Sequence, residues 1–211
     1  IMSRKYTRPT LKGMQHLNGD LLVAVDCETT GLIPDHNCMW QIAILPLDAN
    51  IKPYKGIIPF YMDMQIKRPE NINPDAIKLA KVDWAVRQQR AVDPWTAADM
   101  FDEWFQKLGL PMYKRLVPLA QNWPFDREFI IDWLGRETFF QLFSVHYRDT
   151  MAASLFRNDC ADFKNQKIPI PKVNLSYLGN IFNVKNLMAH DALQDCIATA
   201  EIYRRIILGT V

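Results

Sequence analysis

Short apolar runs separated by turn residues open the chain. The first run covers residues 20–27 and is rich in Val and Leu, and two others cover residues 40–47 and 51–62. Apolar runs of this length, bounded by turn residues, are typical of buried strands. Only residues 48–50 separate the second run from the third, and so short a connection predicts an antiparallel hairpin. The sequence therefore predicts three antiparallel strands at the start of the fold.

Helical spacing of apolar residues becomes clear further along the chain. Asp93 is a suitable N-cap, Pro94 suits the first helical position, and Gly109 can end the helix between them. Beyond this helix the pattern predicts alternating strands and helices. The further predicted elements are short helices within 66–92, a strand at 116–120, a helix from Pro124 to about residue 134, a strand or strand-to-helix element within 144–155, a long polar loop at 157–173, and helices at 174–182 and 192–208.

The order of these elements predicts the fold class. Three antiparallel strands followed by alternating helices and strands are typical of an α/β protein with a mixed sheet flanked by helices. No shift in composition marks a domain boundary, so residues 20–211 are interpreted as a single domain. Residues 1–19 are polar and basic, and they are interpreted as an N-terminal tail or arm.

Composition narrows the class of protein. Of the 211 residues, 49% are hydrophobic and 23% are charged, which is ordinary for a globular protein and argues against intrinsic disorder. The formal net charge of +2 permits a polyanionic partner without requiring one. The four cysteines form no CxxC pair, so we expect free thiols, no zinc site and a cytoplasmic location. No apolar run approaches the roughly 20 residues of a membrane helix, so no membrane partner is expected.

The first predicted strand ends in two acidic residues. Asp26 and Glu28 are two positions apart, so both side chains should project from the same face of the strand. Two convergent carboxylates repel each other unless a cation lies between them, and hard oxygen ligands suit Mg²⁺ or Mn²⁺. Such a pair also arises by chance at solvated strand ends. Its position at the carboxyl edge of a predicted sheet favours the functional interpretation.

Three further residues are candidates for the same site. Asp126 begins a helix with an apolar stripe and should point inward, where an unpaired charge is costly; a simple interaction with the helix dipole is the alternative. Asp195 lies in the first turn of the last predicted helix, where a solvated position is the alternative. His190 is five residues earlier, a step that does not share one helical face, so we expect it in the preceding loop. Asp191 is interpreted as a helix cap or first-turn acid.

These residues fall within three motifs that resemble those of the DEDDh family of 3′–5′ exonucleases, which have a ribonuclease H-like fold with a five-stranded mixed sheet. The run DCETTG at 26–31 resembles the family's D-x-E-T-T-G motif. The run QNWPFD at 121–126 is similar to the second motif, and HDALQD at 190–195 is similar to the H-x-A-x-x-D motif. The motifs follow the family's order and span nearly the whole chain. Gln41 is a departure, because relatives often have Glu there.

The resemblance implies a metal-dependent reaction. Phosphodiester bonds at a 3′ end would be hydrolysed with two divalent ions, Mg²⁺ or Mn²⁺, about 4 Å apart, and 5′-mononucleotides would be released. His190 would be the general base. Leu32 would wedge between the last bases, and Trp123 and Phe125 could stack on a base, with core packing as the alternative for these side chains. The implied metal ligands are Asp26, Glu28, Asp126 and Asp195, and the implied substrate-binding residues are Thr29, Thr30, Gly31, Leu32, Asn122, Trp123 and Phe125.

The motifs do not decide between DNA and RNA as the substrate. A single-stranded 3′ end is favoured because stacking and backbone contacts need an open strand, and DNA is slightly favoured over RNA. An RNA-trimming enzyme of the same family and a non-catalytic nucleic-acid-binding module are the alternatives, and a homodimer or a polymerase partner is left open. Lys164, Lys167 and Lys172 could contact phosphates or belong to a solvated loop.

Overall fold

A five-stranded mixed sheet forms the centre of the fold in the computed structural model, which describes residues 20–80, 83–185 and 190–209. The predicted tail at 1–19 lies outside the described residues. The strands are β1 (Leu21–Thr29), β2 (Met39–Pro46), β3 (Phe60–Asp63), β4 (Leu116–Ala120) and β5 (Arg148–Asp149).

The central strand of the sheet is β1, and the strand order is β3-β2-β1-β4-β5. β1 pairs with β2 in antiparallel and with β4 in parallel orientation. β3 continues the antiparallel side next to β2, and β5 continues the parallel side next to β4. This arrangement confirms the mixed sheet that the order of apolar runs predicts.

Helices cover both faces of the sheet. None of the described helices combines the length and the apolar composition that crossing a membrane would require. The helices are α1 (Pro74–Ala80), α2 (Trp84–Arg90), α3 (Pro94–Lys107), α4 (Trp123–Leu134), α5 (Arg136–Leu142), α6 (Thr150–Phe163), α7 (Leu175–Ile181) and α8 (Ala192–Leu208), with a 3₁₀ turn at Pro69–Asn71.

β1 is buried on both faces because its alternate side chains pack against different helices. Leu22 and Ala24 belong to a cluster that includes Cys196 of α8. Val25 belongs to the cluster on the opposite face, together with Phe129 of α4 and aromatic residues of α3 and α5. Successive strand residues point to opposite faces, so this packing assigns Asp26 and Glu28 to the α8 face.

The third strand is shorter than the apolar run predicts. We expected a strand at 51–62, but β3 begins only at Phe60. The segment before it contains Pro53 and Pro59, which lack the N–H that a strand ladder needs, and Leu47 makes only an isolated bridge to Pro53. The pairing with β2 is antiparallel as predicted, and a tight turn does form at 48–51, where the N–H of Asp48 donates to the carbonyl of Lys52 at 2.8 Å. Residues 54–59 then separate this turn from β3.

Two helical segments differ from the sequence interpretation. The predicted polar loop at 157–173 is wrong in its first part, because α6 continues to Phe163 and buries Ala161. α5 was not predicted, and it forms because Gly135, at φ +78°, ends α4 and lets a new helix begin immediately. α5 contributes Phe139, which stacks on Trp123 and on Phe143 in the core.

Candidate active site

The carboxyl end of β1 carries the first two predicted metal ligands. Both Asp26 and Glu28 are partly buried on the face that α8 covers. The pairing with β2 is regular up to Glu28, which lies opposite Gln41, and the register shifts between Glu28 and Thr29. This irregularity ends the regular ladder just after the acids, so the chain turns away where a substrate would need space.

Asp126 is brought to these acids by the first turn of α4. The residue is buried, with 3% of its surface exposed. Its Oδ1 accepts a hydrogen bond from the backbone N–H of Cys27 at 2.9 Å, which fixes the carboxylate against β1 between the two acids of that strand. Asn122, the N-cap of α4, adopts the left-handed conformation with φ 66°, and its side chain makes no capping hydrogen bond.

Asp195 and His190 come from the start of α8. Asp195 is in the first helical turn and is 6% exposed, and its Oδ2 accepts a hydrogen bond from the backbone N–H of His190 at 3.1 Å. His190 precedes the helix, as expected, with a left-handed φ of 70°. Glu28, His190 and Asp195 each place one potential ligand atom so that all three atoms lie within 4.8 Å of one another.

Burial and mutual repulsion raise the pKa values of the gathered acids. Desolvation is the largest cause for Asp26, whose pKa lies well above its ordinary value, and the charges of Asp126, Asp195 and Glu28 raise it further. The pKa of Glu28 rises to about 8, first through burial and then through the charges of Asp195 and Asp126. The pKa of Asp126 also rises to about 8, mainly through burial, although the N–H of Cys27 works against this.

This electrostatic arrangement fits divalent cations. Carboxylates that are desolvated together must either bind protons or share a cation, because each one destabilises the charged form of its neighbours. Hard oxygen donors suit Mg²⁺ and Mn²⁺, and the imidazole of His190 lies beside Glu28 and Asp195. The residues present therefore fit a site for divalent metal ions with an imidazole beside it.

The loop after β1 is tightly built around Gly31. The backbone N–H of Thr30 donates to the carbonyl of Cys38, and the Thr30 hydroxyl accepts from the Cys38 N–H, both at 2.8 Å. A Cβ at Gly31 would lie less than 3.0 Å from the side chain of Asn37, so a larger residue at this position would have to displace that side chain. Leu32 follows with 75% of its surface exposed, outside the core.

Arg68 binds the same loop through hydrogen bonds. The sequence around Arg68 gave no indication of this role. Its guanidinium donates to the backbone carbonyls of Pro34, Asp35 and Asn37 at 2.7–2.9 Å. It also forms an ion pair with Asp132 of α4 at 3.3 Å. Arg68 thus connects the loop that presents Leu32 to the helix that presents Asp126.

A second unpredicted network supports the start of α8. The Oε1 of Gln41 accepts a hydrogen bond from the backbone N–H of Ala192 at 2.9 Å, and its Nε2 donates to Asp63 at 2.6 Å. A glutamate at position 41 would lose this donor and face the carboxylate of Asp63 instead. Gln41, at a position where Glu was expected from the resemblance, is therefore suited to Asp63, because its amide can donate to that carboxylate.

Asp191 caps α8, as predicted, and belongs to the same network. Its side chain accepts from the N–H of Gln194, and from the hydroxyl of Tyr61 at 2.6 Å. Arg87 lies 3.6 Å from Asp191 and 2.9 Å from Asp63, which places a cation behind the acidic cluster. Arg87 also lowers the pKa of Glu28, against the stronger effects of burial and the neighbouring acids.

The base-stacking role expected of Trp123 needs correction. Its side chain is 1% exposed and lies in the aromatic core against Phe139 and Phe143, so its ring has no face available for a base. Its backbone N–H donates to Asp149, the cap of α6. Phe125 is half-buried, packs on Phe129 and stays a candidate at the margin of the site.

Comparison with known sequences gives one family. A model of the exonuclease family, of the RNase T type, matches residues 23–203 of the chain. A comparison with curated protein sequences gives no match.

Solved nucleases share the fold at low sequence identity. E. coli exonuclease I in complex with a dT13 oligonucleotide has a TM-score of 0.67 at 17% identity, over 90% of this chain and 41% of that chain. Cell-death related nuclease 4 (CRN-4) has a TM-score of 0.66 at 19% identity, over 90% and 64% of the two chains. S. pombe Pop2p in its Mg²⁺- and Mn²⁺-bound form has a TM-score of 0.64 at 14% identity, over 88% and 82%. The chain spans less than two thirds of the first two proteins, and these likenesses confirm the ribonuclease H-like fold.

Proposed function

The chain belongs to the exonuclease family, and from this premise we propose that it is a metal-dependent 3′–5′ exonuclease acting on single-stranded nucleic acid. The products would be 5′-mononucleotides. The observation that carries the proposal is the convergence of four acids and one imidazole from three separate stretches of chain: β1, α4 and the start of α8. Buried acids gathered in this way are costly to a fold, which supports a functional reason for them.

The metal ligands we propose are Asp26, Glu28, Asp126 and Asp195. Asp26 is the best candidate to bridge two ions, because the charges of Asp126, Asp195 and Glu28 all act on its carboxylate. When bound, the divalent ions would lower the pKa of an attacking water and stabilise the charge on the leaving 3′ oxygen. The protein supplies the oxygen ligands, and a rigid frame that keeps them together against their repulsion.

His190 is the proposed general base. Its backbone bond to Asp195 holds the residue at the mouth of the carboxylate cluster, with a side-chain nitrogen near Glu28. In this role the imidazole accepts the proton of the attacking water and releases it to solvent after the phosphodiester bond breaks. The left-handed φ of 70° at His190 lets the chain turn into α8 without carrying the imidazole away from the acids.

Substrate contacts are proposed for the loop after β1 and for the head of α4. The exposed Leu32 would wedge against the last base, while Thr29, Thr30 and Gly31 would line the backbone of the terminal nucleotide. Asn122 and the half-buried Phe125 would contact the same nucleotide from the other side. A single-stranded end suits this arrangement because a base must be unpaired to meet the wedge.

DNA is the substrate that we favour, and RNA is the alternative within the same family. The E. coli exonuclease I structure that shares this fold contains a dT13 oligonucleotide, which supports single-stranded DNA as the first substrate to test. A cytoplasmic location and an action independent of a polymerase are part of the same proposal.

A time course on matched DNA and RNA 13-mers, each labelled at the 5′ end, tests the function. With Mg²⁺ or Mn²⁺ we expect a ladder of products shortened one nucleotide at a time, and no products with EDTA. Asp26→Ala should abolish the ladder, because the bridging ligand is lost. Accumulation of the labelled mononucleotide at the earliest times would show digestion from the 5′ end, and intact oligonucleotides at every metal concentration would favour the non-catalytic binding module.

A further inference from the structure

Three positively charged side chains line a cavity at the C-terminal end of α6. It has a volume of about 300 Å³ and lies between the end of α6 and the loop that follows it. Arg157, Lys164 and Lys167 line it, and none of them forms an ion pair with any described residue. Asp159 and Asp162 are on the same helix, but neither lines the cavity.

One nitrogen of Arg157 makes the cavity unusual. Its Nη1 is buried and has no hydrogen-bond partner among the described residues. Burying such a donor without a partner costs about 1–3 kcal/mol in general. A phosphate group in the cavity would supply the negative charge that Arg157, Lys164 and Lys167 lack.

The walls of the cavity are fixed by the chain itself. Asn158 of α6 donates from its Nδ2 to the carbonyl of Ile170 at 2.7 Å, and its Oδ1 accepts from the N–H of Ile170 at 3.0 Å. The N–H of Gln166 donates to the carbonyl of Ala161 at 2.9 Å. These bonds hold the returning loop against α6, so the cations are kept together despite their repulsion.

Exposed apolar side chains flank the same cations. Phe163, directly before Lys164, is 90% exposed, and Ile168, directly after Lys167, is also exposed. Phe156, two turns earlier on α6, is exposed as well. Aromatic rings interleaved with cations are typical of surfaces that bind single-stranded nucleic acid, with bases stacked on the rings and phosphates on the cations.

α6 begins beside the helix that carries Asp126, and the cavity lies at the other end of α6. Asp149, the cap of α6, accepts from the N–H of Trp123, which opens the helix of Asp126. At 1.5 Å per helical residue, Arg157 lies about 10 Å and Lys164 about 21 Å beyond the start of α6. At roughly 3.4 Å per stacked nucleotide, that second distance corresponds to about six nucleotides.

We propose that the cavity of Arg157, Lys164 and Lys167, with Phe163 beside it, is a second contact site for single-stranded nucleic acid, which holds the phosphates of the substrate some nucleotides upstream of the 3′ end. The proposal rests on the proposed function for its ligand. It requires that affinity depends on strand length, because a trinucleotide in the active site is too short to reach the cavity.

Binding of fluorescent single-stranded 13-mers and trinucleotides in EDTA, across a salt series, tests the proposal without hydrolysis. Each phosphate contact on a single strand contributes about 0.7 to the slope of log K against log salt, so Lys164→Gln/Lys167→Gln should lower that slope by about 1.4. At 0.1 M salt this corresponds to a Kd of the double variant for the 13-mer that is about 25-fold higher than that of the wild type. The trinucleotide should bind both proteins alike.

Lys52→Gln/Lys55→Gln is the matched control. It removes the same charge from exposed positions in the loop between β2 and β3, which lies at the opposite end of β2 from Glu28, and should leave the slope unchanged. A slope for Lys164→Gln/Lys167→Gln equal to that of the control would overturn the proposal. Phe163→Leu keeps an apolar side chain but removes the ring, and should weaken 13-mer binding roughly tenfold; unchanged binding would overturn the stacking contact.

The two proposals fail separately. A wild-type protein that binds 13-mers through the cavity but never shortens them would contradict the proposed exonuclease and not the second site. A protein that shortens 13-mers, but whose affinity for them does not depend on Lys164 and Lys167, would contradict the second site alone.

Discussion

Replacement of Asp126 by asparagine should stabilise the metal-free protein at pH 8. Asp126 is 3% exposed, and its pKa rises from 3.8 to about 8, chiefly through burial. At about 1.4 kcal/mol for each pH unit between those values, the charged carboxylate costs the fold up to roughly 6 kcal/mol at pH 8. Asparagine has no charge, and its Oδ1 can still accept the hydrogen bond from Cys27.

The net gain is smaller than this bound. The amide brings a buried NH₂ group with no partner, at a cost of about 1–3 kcal/mol. We therefore expect Asp126→Asn to be more stable than the wild type by about 3 kcal/mol at pH 8, which corresponds to a Tm increase of roughly 6–12 °C for a domain of this size.

The sign of the effect depends on pH. A carboxyl whose pKa is raised in the folded state contributes its full stability below the unfolded value, near 4, and that contribution is lost as the pH rises through about 8. Wild-type Tm in EDTA should therefore fall between pH 4 and pH 8, and the advantage of Asp126→Asn should disappear towards pH 4.

Thermal unfolding followed by circular dichroism in EDTA from pH 4 to pH 8 measures this difference. Asp99→Asn is the control, because Asp99 is exposed on α3 and forms no ion pair with any described residue, and its Tm should follow that of the wild type. Saturating Mg²⁺ should stabilise the wild type, by about 2.7 kcal/mol at a hundred times Kd, and Asp126→Asn less. A Tm difference that stays the same from pH 4 to pH 8 would refute the assignment of Asp126 to a repelling, buried cluster.

Three other substitutions test separate parts of the site. His190→Ala should slow hydrolysis by about 10²–10⁴, with Mn²⁺ binding measured by calorimetry nearly unchanged, and near-normal turnover would remove His190 from the base role. Arg68→Lys keeps the charge but cannot reach three carbonyls, so KM should rise more than kcat falls in a steady-state assay; an equal loss in both would contradict a loop-positioning role. Trp123→Ala should cost about 3–5 kcal/mol in urea unfolding and Leu32→Ala less than about 0.5 kcal/mol, and similar costs would contradict their placement in the core and on the surface.

The sequence identified the candidate site residues because the motifs that contain them are local. The spacing of Asp26 and Glu28 on a strand, the acid at the head of α4, and the histidine before α8 can each be identified without knowing what lies nearby. The N-caps of α3 and α8 could also be identified from the sequence, since Asp93 and Asp191 accept hydrogen bonds from N–H groups two or three residues further along the chain.

Side chains whose partners are distant in sequence could not be assigned in this way. Arg68 binds carbonyls more than thirty residues away, and Gln41 accepts from an N–H 151 residues away. Nothing in the residues around either one distinguishes it from an ordinary polar position. Trp123 had two equally plausible environments, and only the packing of α5, a helix that the pattern did not predict, places it in the core.

The sequence by itself determined the mixed α/β class, several helix starts and the candidate acids, because these depend on periodicity, on local motifs and on interactions within a few residues. Only the tertiary structure decided which of those acids share one desolvated cluster, which aromatic rings are accessible, and which cations face a common cavity. Burial and electrostatic repulsion depend on distances through space, and the chain fixes those distances only when β1, α4, α6 and α8 have packed together.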